Sequence, residues 1–579
     1  MPVPVWTPAL PLADLPRGGL KTFKHGGHQL VIARTAAGEV YALDNRCPHE
    51  GYPLAQGNLK ECALTCAWHN WKFDVRDGAC TLGGEAVRSY PARVSDGTVE
   101  VDLAQPDPEQ FFPIWLASLM QGIERYDNGR AVRDGVRLLD AGYDPHRLLA
   151  DVALYDARHA EYGTTHVLAL AADAGRMFDR RPGAEAMYAI APVIDLCGET
   201  NQRRPFRERP APIRGGSLAE LRKAVEDEES ERAEGLLLGA FEDGASRETV
   251  AEWLFSVLSD HYLDFGHRLI YLMKCGELLD RLSPELAAEY APELYGSLVY
   301  SIVLATREDT LPYMQPYARR LAEVESEFPA VHARARDDAT LDAPALRAAL
   351  LDGKSGEAFG AVWDALRAGV PARRVAEELV IVGAHRMLRF DERIDARQDV
   401  AETWLWVTHR FTFASAMRKA LVRWDSPDSL RMLFLGVMSL HSAAPMDAPL
   451  ERRPSLESEP GEASDVIVAI ATRQPQKAVA LTLGLAKDEA RLATLKQELE
   501  DLLLADPVVR PIVLTHAIKN ILAGFDEHAA LVDHPERDLV LAANVRFLAS
   551  PIVERRVHET VGTSIAWVVD GKVPKKLTQ

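Results

Sequence analysis

The chain has 579 residues with 66 basic and 85 acidic side chains, and this excess of acid disfavours nucleic acid or an anionic membrane surface as a partner. Apolar residues make up 47% and charged residues 26%, which is typical of a soluble protein with large cores, and the length predicts two to four domains. With six cysteines, no signal-peptide pattern and no run of roughly 18 apolar residues, the sequence predicts a cytoplasmic protein without disulfide framework or membrane span.

The first part of the chain has the pattern of short β-strands. Segments such as "HQLVIA", "EVYAL", "WKFDV" and "TVEVDL" are separated by turn sequences such as "AAGE", "RDGA" and "SDGT". We therefore predict a small all-β domain over residues 1–103. The Pro-containing polar stretch that follows predicts a linker over residues 104–112.

From residue 113 to residue 579 the apolar residues recur mostly with helical period, for example in "VAEWLFSVLSDHYLDFGHRLIYLMKCGELLDRL". This pattern predicts a large all-α domain, so the fold class is an α+β multidomain protein. The segment "RRPSLESEPGEASD" at 452–465 is either an exposed linker at a further boundary or a long loop within one domain.

Two short loops of the β domain each contain one cysteine and one histidine. They are Cys47-Pro-His49 and, sixteen residues later, Cys66-Ala-Trp-His69. A structural zinc site is the alternative interpretation, but zinc ligands are usually spaced as C-x2-4-C and H-x3-5-H. One Cys and one His per loop favours a [2Fe–2S] cluster with two thiolates on one iron and two imidazoles on the other.

This stretch resembles the Rieske [2Fe–2S] domain, through C-x-H-x16-C-x2-H followed by "NWKFDVRDG". The resemblance implies stacked antiparallel sheets, with Cys47 and Cys66 on the inner iron and His49 and His69 on the outer one. Tyr52 stands where respiratory Rieske proteins carry an extra cysteine, so the oxygenase or ferredoxin branch is implied. Because the chain has no flavin or nicotinamide motif, we expect a separate reductase or ferredoxin as the electron donor.

Four histidines in the helical region share a local context: His166, His267, His409 and His516 each follow Thr or Gly, and each is predicted to precede an amphipathic helix. Four helices that each direct one imidazole inward can hold a metal in a bundle core. Imidazole suits iron, copper, nickel and zinc alike, so the ligands do not name the metal. An ordinary hydrogen-bonded core histidine is the alternative at each position.

The segments "FGHRLIY" and "VTHRFTFA" are similar to those of questin oxidase-like proteins, a helical family of non-heme iron oxygenases. That resemblance implies a mononuclear iron at the four histidines and an aromatic or polyketide-like substrate. His159, Lys274 and Lys519 lie near candidate ligands on the same helical faces, so they are further candidates for the site. A second arrangement, a facial triad of His261, Asp264 and His267 in "DHYLDFGH" at 260–267, is the weaker alternative.

Two functions follow from these patterns. In the first, the protein is an oxygenase that passes electrons from the [2Fe–2S] cluster to the mononuclear iron and acts on a small molecule with O2. In the second, it is an electron-transfer or redox-sensing protein whose helical part is a metal-free binding module. The sequence assigns no catalytic residue, and an oligomer with electron transfer between chains is compatible with it.

Overall fold

The computed structural model describes residues 4–104, 108–397, 400–508, 510–551, 556–572 and 577. The chain forms two compact units. The first comprises Met1–Pro145 with Pro182–Met187, and the second comprises His146–Arg181 with Tyr188–Gln579. Strands dominate up to residue 102 and helices dominate thereafter, so the predicted α+β multidomain class is confirmed.

The β-strands of the first unit are short. In chain order they are β1 (Trp6–Pro11), β2 (Gly19–His25), β3 (His28–Arg34), β4 (Val40–Asp44), β5 (Asn58–Lys60), β6 (Ala63–Thr65), β7 (Lys72–Asp74), β8 (Cys80–Leu82), β9 (Ser89–Tyr90), β10 (Ala92–Ser95) and β11 (Thr98–Asp102). They form three antiparallel sheets with the strand orders β1-β11-β10, β2-β3-β4-β9 and β5-β6-β7-β8.

Strand β3 lies between two hydrophobic cores. Successive side chains of a strand point to opposite faces, so Val31 and Ala33 enter one core and Leu30 and Ile32 enter the other. All four are fully buried, which explains the unbroken apolar run "LVIA". The core that contains Val31 also contains both candidate cysteine ligands, so that the sheet β5–β8 and its loops are held against it.

The helices of the first half of the chain are α1 (Phe112–Arg125), α2 (Asn128–Asp140), α3 (Pro145–His159), α4 (His166–Ala174), α5 (Met187–Asn201), α6 (Leu218–Glu226), α7 (Ser230–Glu242), α8 (Arg247–Leu258), α9 (His267–Leu279), α10 (Pro284–Val303), α11 (Gln315–Val324) and α12 (Phe328–His332). Those of the second half are α13 (Ala343–Asp352), α14 (Ser355–Arg367), α15 (Ala372–Arg389), α16 (Glu392–Asp395), α17 (Trp404–Arg423), α18 (Pro427–Ser442), α19 (Ala463–Ala471), α20 (Pro475–Leu485), α21 (Glu489–Leu504), α22 (Pro511–Ala530), α23 (Asp538–Ala549) and α24 (Arg556–Val568).

Four of these helices form a closed ring in the second unit. Helix α4 packs against α9 and α22, and α17 packs against the same two helices. Each of the four carries one of the recurrent histidines. Among the described helices, none combines the length and apolar character that a membrane crossing requires.

The predicted boundaries at 103 and 113, and the predicted break at 452–465, remain predictions. Helices α1 and α2 cluster with the strands in the first compact unit. One reason is electrostatic, because Arg133 and Arg137 of α2 form ion pairs with the buried carboxylate of Glu85. The segment 454–462 has no regular secondary structure and lies within the second unit.

Candidate metal centres

The two Cys/His loops of the first unit are closed by the same backbone hydrogen bond. The Cys47 N–H donates to the Tyr52 carbonyl at 2.8 Å, and the Cys66 N–H donates to the Trp71 carbonyl at 2.8 Å. In both loops the bond spans five residues. The first loop follows β4 and the second follows β6. The cysteines of both loops lie in the same hydrophobic core.

The fourth residue after each cysteine adopts a left-handed backbone conformation. It is Gly51 in the first loop, with φ of 79°, and Asn70 in the second, with φ of 61°. Glycine meets no steric penalty at such a φ, and asparagine tolerates it better than most residues. The paired use of Gly and Asn therefore follows from the shared loop geometry.

The loops bring the four predicted ligands together with the cysteines inside and the histidines outside. Cys47 and Cys66 are 1% and 2% exposed, whereas His69 is exposed and His49 half-buried. The Nδ1 atoms of the two histidines lie 2.9 Å apart. Burial raises the pKa of the Cys47 thiol to about 11, so a bound metal is needed to hold it as a thiolate near neutral pH.

The spacing of the donor atoms does not suit a single zinc ion. The two histidines group with the Glu50 carboxylate within 4.8 Å, but neither cysteine sulfur belongs to that group. A tetrahedral zinc would require all four donors around one point. A thiolate pair and a separate imidazole pair are the arrangement that a [2Fe–2S] cluster with mixed ligands requires.

The comparisons with known proteins agree with this geometry. A family model described as the Rieske [2Fe-2S] domain matches residues 5–91. The chain is also 30% identical over 93 residues to the ferredoxin component of the naphthalene 1,2-dioxygenase/salicylate 5-hydroxylase systems of Ralstonia sp, covering 16% of this chain and 88% of that relative.

The chain belongs to the Rieske [2Fe–2S] family. This membership rests on its N-terminal residues and implies a [2Fe–2S] cluster.

Larger proteins also match over a short stretch of the chain. The chain is 34% identical over 91 residues to the 4beta-methylsterol monooxygenase of Methylococcus capsulatus, covering 14% of this chain and 25% of that protein. It is 40% identical over 76 residues to the 3-chlorobenzoate-3,4-dioxygenase oxygenase subunit of Comamonas testosteroni, covering 13% and 17% respectively. The chain thus spans a quarter or less of the length of these two relatives.

Beyond the Rieske domain, the structure brings the four recurrent histidines into one cluster. His166, His267, His409 and His516 place one ligand atom each within 4.8 Å of one another. His166 and His267 are the first residues of α4 and α9, as the sequence pattern predicted. The expectation that the other two also precede their helices is wrong, because α17 begins at Trp404 and α22 begins at Pro511.

The orientation of two imidazoles is fixed by backbone carbonyls one turn earlier. The Nδ1 atoms of His409 and His516 lie 2.5 and 2.6 Å from the carbonyl oxygens of Leu405 and Ile512. A carbonyl only accepts, so Nδ1 carries the proton and Nε2 is left with a lone pair. The two Nε2 atoms face each other at 2.9 Å, and two neutral imidazoles in this tautomer have no proton to share there.

The other two imidazoles direct unpartnered nitrogens into the protein. The Nε2 atoms of His166 and His267 are buried and make no hydrogen bond within the described chain. The Tyr271 hydroxyl lies 3.1 Å from His166 Nδ1. The sequence pattern did not single out Tyr271, although its position four residues after His267 placed it on the same helical face.

All four histidines are held in the neutral form that metal ligation requires. Burial lowers the pKa of each well below its ordinary value, and the nearby Lys519 charge lowers each pKa further. Nearby imidazole nitrogens without protons are a suitable donor set for a divalent transition metal. The cluster therefore fits a mononuclear metal ion.

Lys519 remains an additional candidate for the site, because its charge acts on all four histidines. Its Nζ is buried and makes no hydrogen bond to the residues that the structure describes. Burial lowers the pKa of Lys519 to about 7, so a large fraction of the amine is uncharged near neutral pH. A neutral amine is itself a donor to a metal ion.

Lys274, the second lysine candidate, belongs instead to a layer of ion pairs beyond the histidines. Its Nζ donates to Asp173 at 2.6 Å and to Glu277 at 2.7 Å, which joins α9 to α4. Lys419 of α17 donates to Glu277 at 2.9 Å and to Asp526 of α22 at 2.7 Å. All four helices of the ring are thereby linked, so Lys274 has a structural explanation.

The remaining candidates lie outside the cluster. His159 ends α3, with its Nδ1 2.8 Å from the Tyr155 carbonyl oxygen, and it is not among the converging imidazoles. The alternative facial triad is not assembled, because His261 bonds through Nδ1 to Asp309 at 2.9 Å. Its proposed carboxylate, Asp264, accepts from the arginine four residues later at 2.6 Å.

Proposed function

We propose that the protein is an O2-dependent oxygenase in which electrons received at the Rieske domain reach a mononuclear non-heme iron held by His166, His267, His409 and His516. Cys47, His49, Cys66 and His69 would hold the [2Fe–2S] cluster. The cluster supplies single electrons at a potential raised by its imidazole ligands, and the iron supplies coordination positions for O2. Lys519 would be a further donor to that iron.

The observation that carries the proposal is the pair of Nε2 atoms of His409 and His516 at 2.9 Å, with both Nδ1 protons committed to carbonyl oxygens. Two lone pairs at this distance repel each other unless a cation lies near both. The buried Nε2 atoms of His166 and His267 complete a donor set of four. In a chain with an electron-transfer domain, a redox metal is the natural occupant.

The electron donor and the substrate are part of the same proposal. The chain has no flavin or nicotinamide motif, so a separate reductase or ferredoxin supplies the electrons. The ferredoxin relative is named as a component of dioxygenase systems, and other relatives are named as oxygenases. The resemblance to questin oxidase-like segments indicates an aromatic or polyketide-like small molecule as substrate.

The proposal is tested by removing one ligand and counting iron. His409→Ala is compared with His528→Ala, which truncates another buried histidine, one whose partner is Asp538 at 3.1 Å. In anaerobically prepared full-length protein we expect about three irons per two sulfides in the wild type and in His528→Ala, and about two in His409→Ala.

The same samples are assayed for O2 consumption with a chemical reductant and a ferredoxin. We expect consumption to be lost in His409→Ala while the visible spectrum of the Rieske cluster is retained. Equal iron content and equal O2 consumption in the two variants would contradict the proposal. The protein would then be an electron-transfer or redox-sensing protein with a metal-free helical module.

A further inference from the structure

The residue directly after His409 is a buried arginine without a partner. Arg410 is 0% exposed, and all three guanidinium nitrogens lack a hydrogen bond within the described chain. Among the described residues its neighbours are mainly aromatic: Trp406 lies 4.7 Å from the guanidinium carbon, and the Tyr313 hydroxyl interacts with the guanidinium without a well-formed hydrogen bond. A guanidinium stays charged in proteins and is expensive to bury unpaired, so this group calls for a specific explanation.

Elsewhere in the same unit the chain satisfies an equally buried arginine completely. Arg386 is also 0% exposed, and its guanidinium donates to the Asp447 carboxylate at 2.6 Å. It donates further to the carbonyl oxygens of Leu440, Leu350 and Leu351 at 2.9 to 3.1 Å. The lack of partners at Arg410 is therefore a local property of its site.

The buried carboxylate of Glu308 does not neutralise Arg410. Glu308 is 3% exposed, but its carboxylate forms no ion pair with Arg410, and the Tyr313 hydroxyl donates to it at 3.4 Å. Burial raises the pKa of Glu308 even though the positive charge of Arg410 acts against this. The guanidinium thus has no anionic partner among the described residues.

The ring of Phe265 lies close to both Arg410 and the histidine cluster. Its centroid lies 5.8 Å from the Arg410 guanidinium carbon, 5.9 Å from the His409 ring and 6.1 Å from the His267 ring. Phe265 has a φ of 57°, which an aromatic residue rarely adopts. Such strain is typical of segments whose position matters to function.

We propose that Arg410 pairs with an anionic group of an aromatic substrate, whose ring takes the place of the Phe265 side chain beside His267 and His409. The inference rests on the proposed function, because it names the substrate class of the same site. A carboxylate or a phenolate matches the guanidinium, which can bond to a carboxylate through two parallel N–H groups. Trp406 supplies a flat surface against which the pair is held.

The test compares an aromatic acid with its uncharged isostere. Binding of 2-naphthoate and 2-naphthamide is measured by calorimetry on full-length, iron-loaded, anaerobic protein. In the wild type we expect the acid to bind at least about 10-fold more tightly than the amide, as a charge-assisted pair provides. In Arg410→Met this ratio falls to about one. In Phe265→Ala, which vacates the ring position, the acid binds more tightly than in the wild type.

Thermal midpoints show whether Arg410 is instead a structural residue. Arg410→Met removes an unpaired buried charge and leaves a side chain of similar length, so its midpoint is expected to equal or exceed that of the wild type. Arg386→Met is the matched control, and its midpoint falls because four acceptors lose their donor. A fall of equal size in both variants would overturn the proposal.

Two further results would also overturn it. One is an acid-to-amide ratio that Arg410→Met leaves unchanged, and the other is failure of the acid to bind to both the wild type and Phe265→Ala. The iron-to-sulfide ratio is measured on every sample. If Arg410 fails these tests while about three irons per two sulfides are present, only the substrate assignment fails and the iron site stands.

Discussion

The four converging imidazoles make the stability of the iron-free protein depend on pH. Burial lowers the pKa of each histidine in the folded state well below the ordinary value. The unfolded chain therefore binds protons near pH 6.5 that the folded chain does not bind. The contribution of these histidines to the free energy of unfolding is complete above the pKa of the unfolded chain. It is lost as the pH falls towards the lower pKa of the folded protein.

The size of the effect follows from the number of histidines. Lowering the pH from 7.5 to 5.5 carries each unfolded imidazole through its titration, which costs the folded state about 1.4 kcal/mol. Four such groups give a loss of about 5.5 kcal/mol. This is a large share of the roughly 5–15 kcal/mol by which folded proteins are stable, so the effect is easily measured.

The assay is urea unfolding of chelator-treated protein at both pH values, with helical circular dichroism as the signal. His409→Asn removes one titrating group at a similar polarity, and we expect its loss between the two pH values to be smaller by about 1.4 kcal/mol. A wild-type protein equally stable at both pH values would refute the reasoning. So would a pH dependence that His409→Asn does not change.

Three other perturbations have defined outcomes. Lys519→Met should stabilise the iron-free protein at pH 7.5 by about 4 kcal/mol, because the folded pKa of about 7 lies below that of an unfolded lysine; a lower thermal midpoint would contradict this. Lys274→Met should cost about 3–5 kcal/mol by leaving Asp173 buried and unpaired, and Lys274→Met/Asp173→Leu should recover part of it in urea titrations; an unaltered single variant would exclude a stabilising ion pair. His69→Cys should lower the reduction potential of the cluster by a few hundred mV in a redox titration, and an unchanged potential would mean that His69 is not a ligand.

The Rieske site could be predicted from sequence because its ligands are local. Each loop contains its Cys and its His within four residues, and the two loops lie sixteen residues apart. What the sequence did not reveal is the shared loop closure, with Gly51 and Asn70 in equivalent left-handed positions. Gly51 is the residue type that a tight turn favours, but asparagine is common at turns, so Asn70 did not stand out by itself.

The four-histidine cluster was predictable only through repeated context. Thr or Gly before each His, and an apolar segment after it, distinguished these four from the other histidines of the helical region. The neighbouring lysines were not distinguishable, since both lie on a candidate ligand's helical face. Their difference depends on distant residues: Lys274 donates to Asp173 on another helix, 101 residues away, whereas Lys519 makes no hydrogen bond in the part of the chain that the structure describes.

Arg410 shows the same limit of sequence reasoning. Within the apolar helix segment "VTHRFTFA", Arg410 resembles an ordinary arginine whose charged end extends to solvent. Its burial is set by Phe265 and Trp406 and by a turn at Glu308, about one hundred residues earlier in the chain. The periodicity of one helix does not reveal which distant residues surround a given side chain.

The central claim is that one chain holds a [2Fe–2S] cluster and a separate iron at four histidines. The most direct test is the iron and acid-labile sulfide content of anaerobically purified full-length protein. The account predicts about three irons for every two sulfides. About two irons for every two sulfides, in protein free of zinc and other metals after anaerobic incubation with ferrous iron, would contradict it.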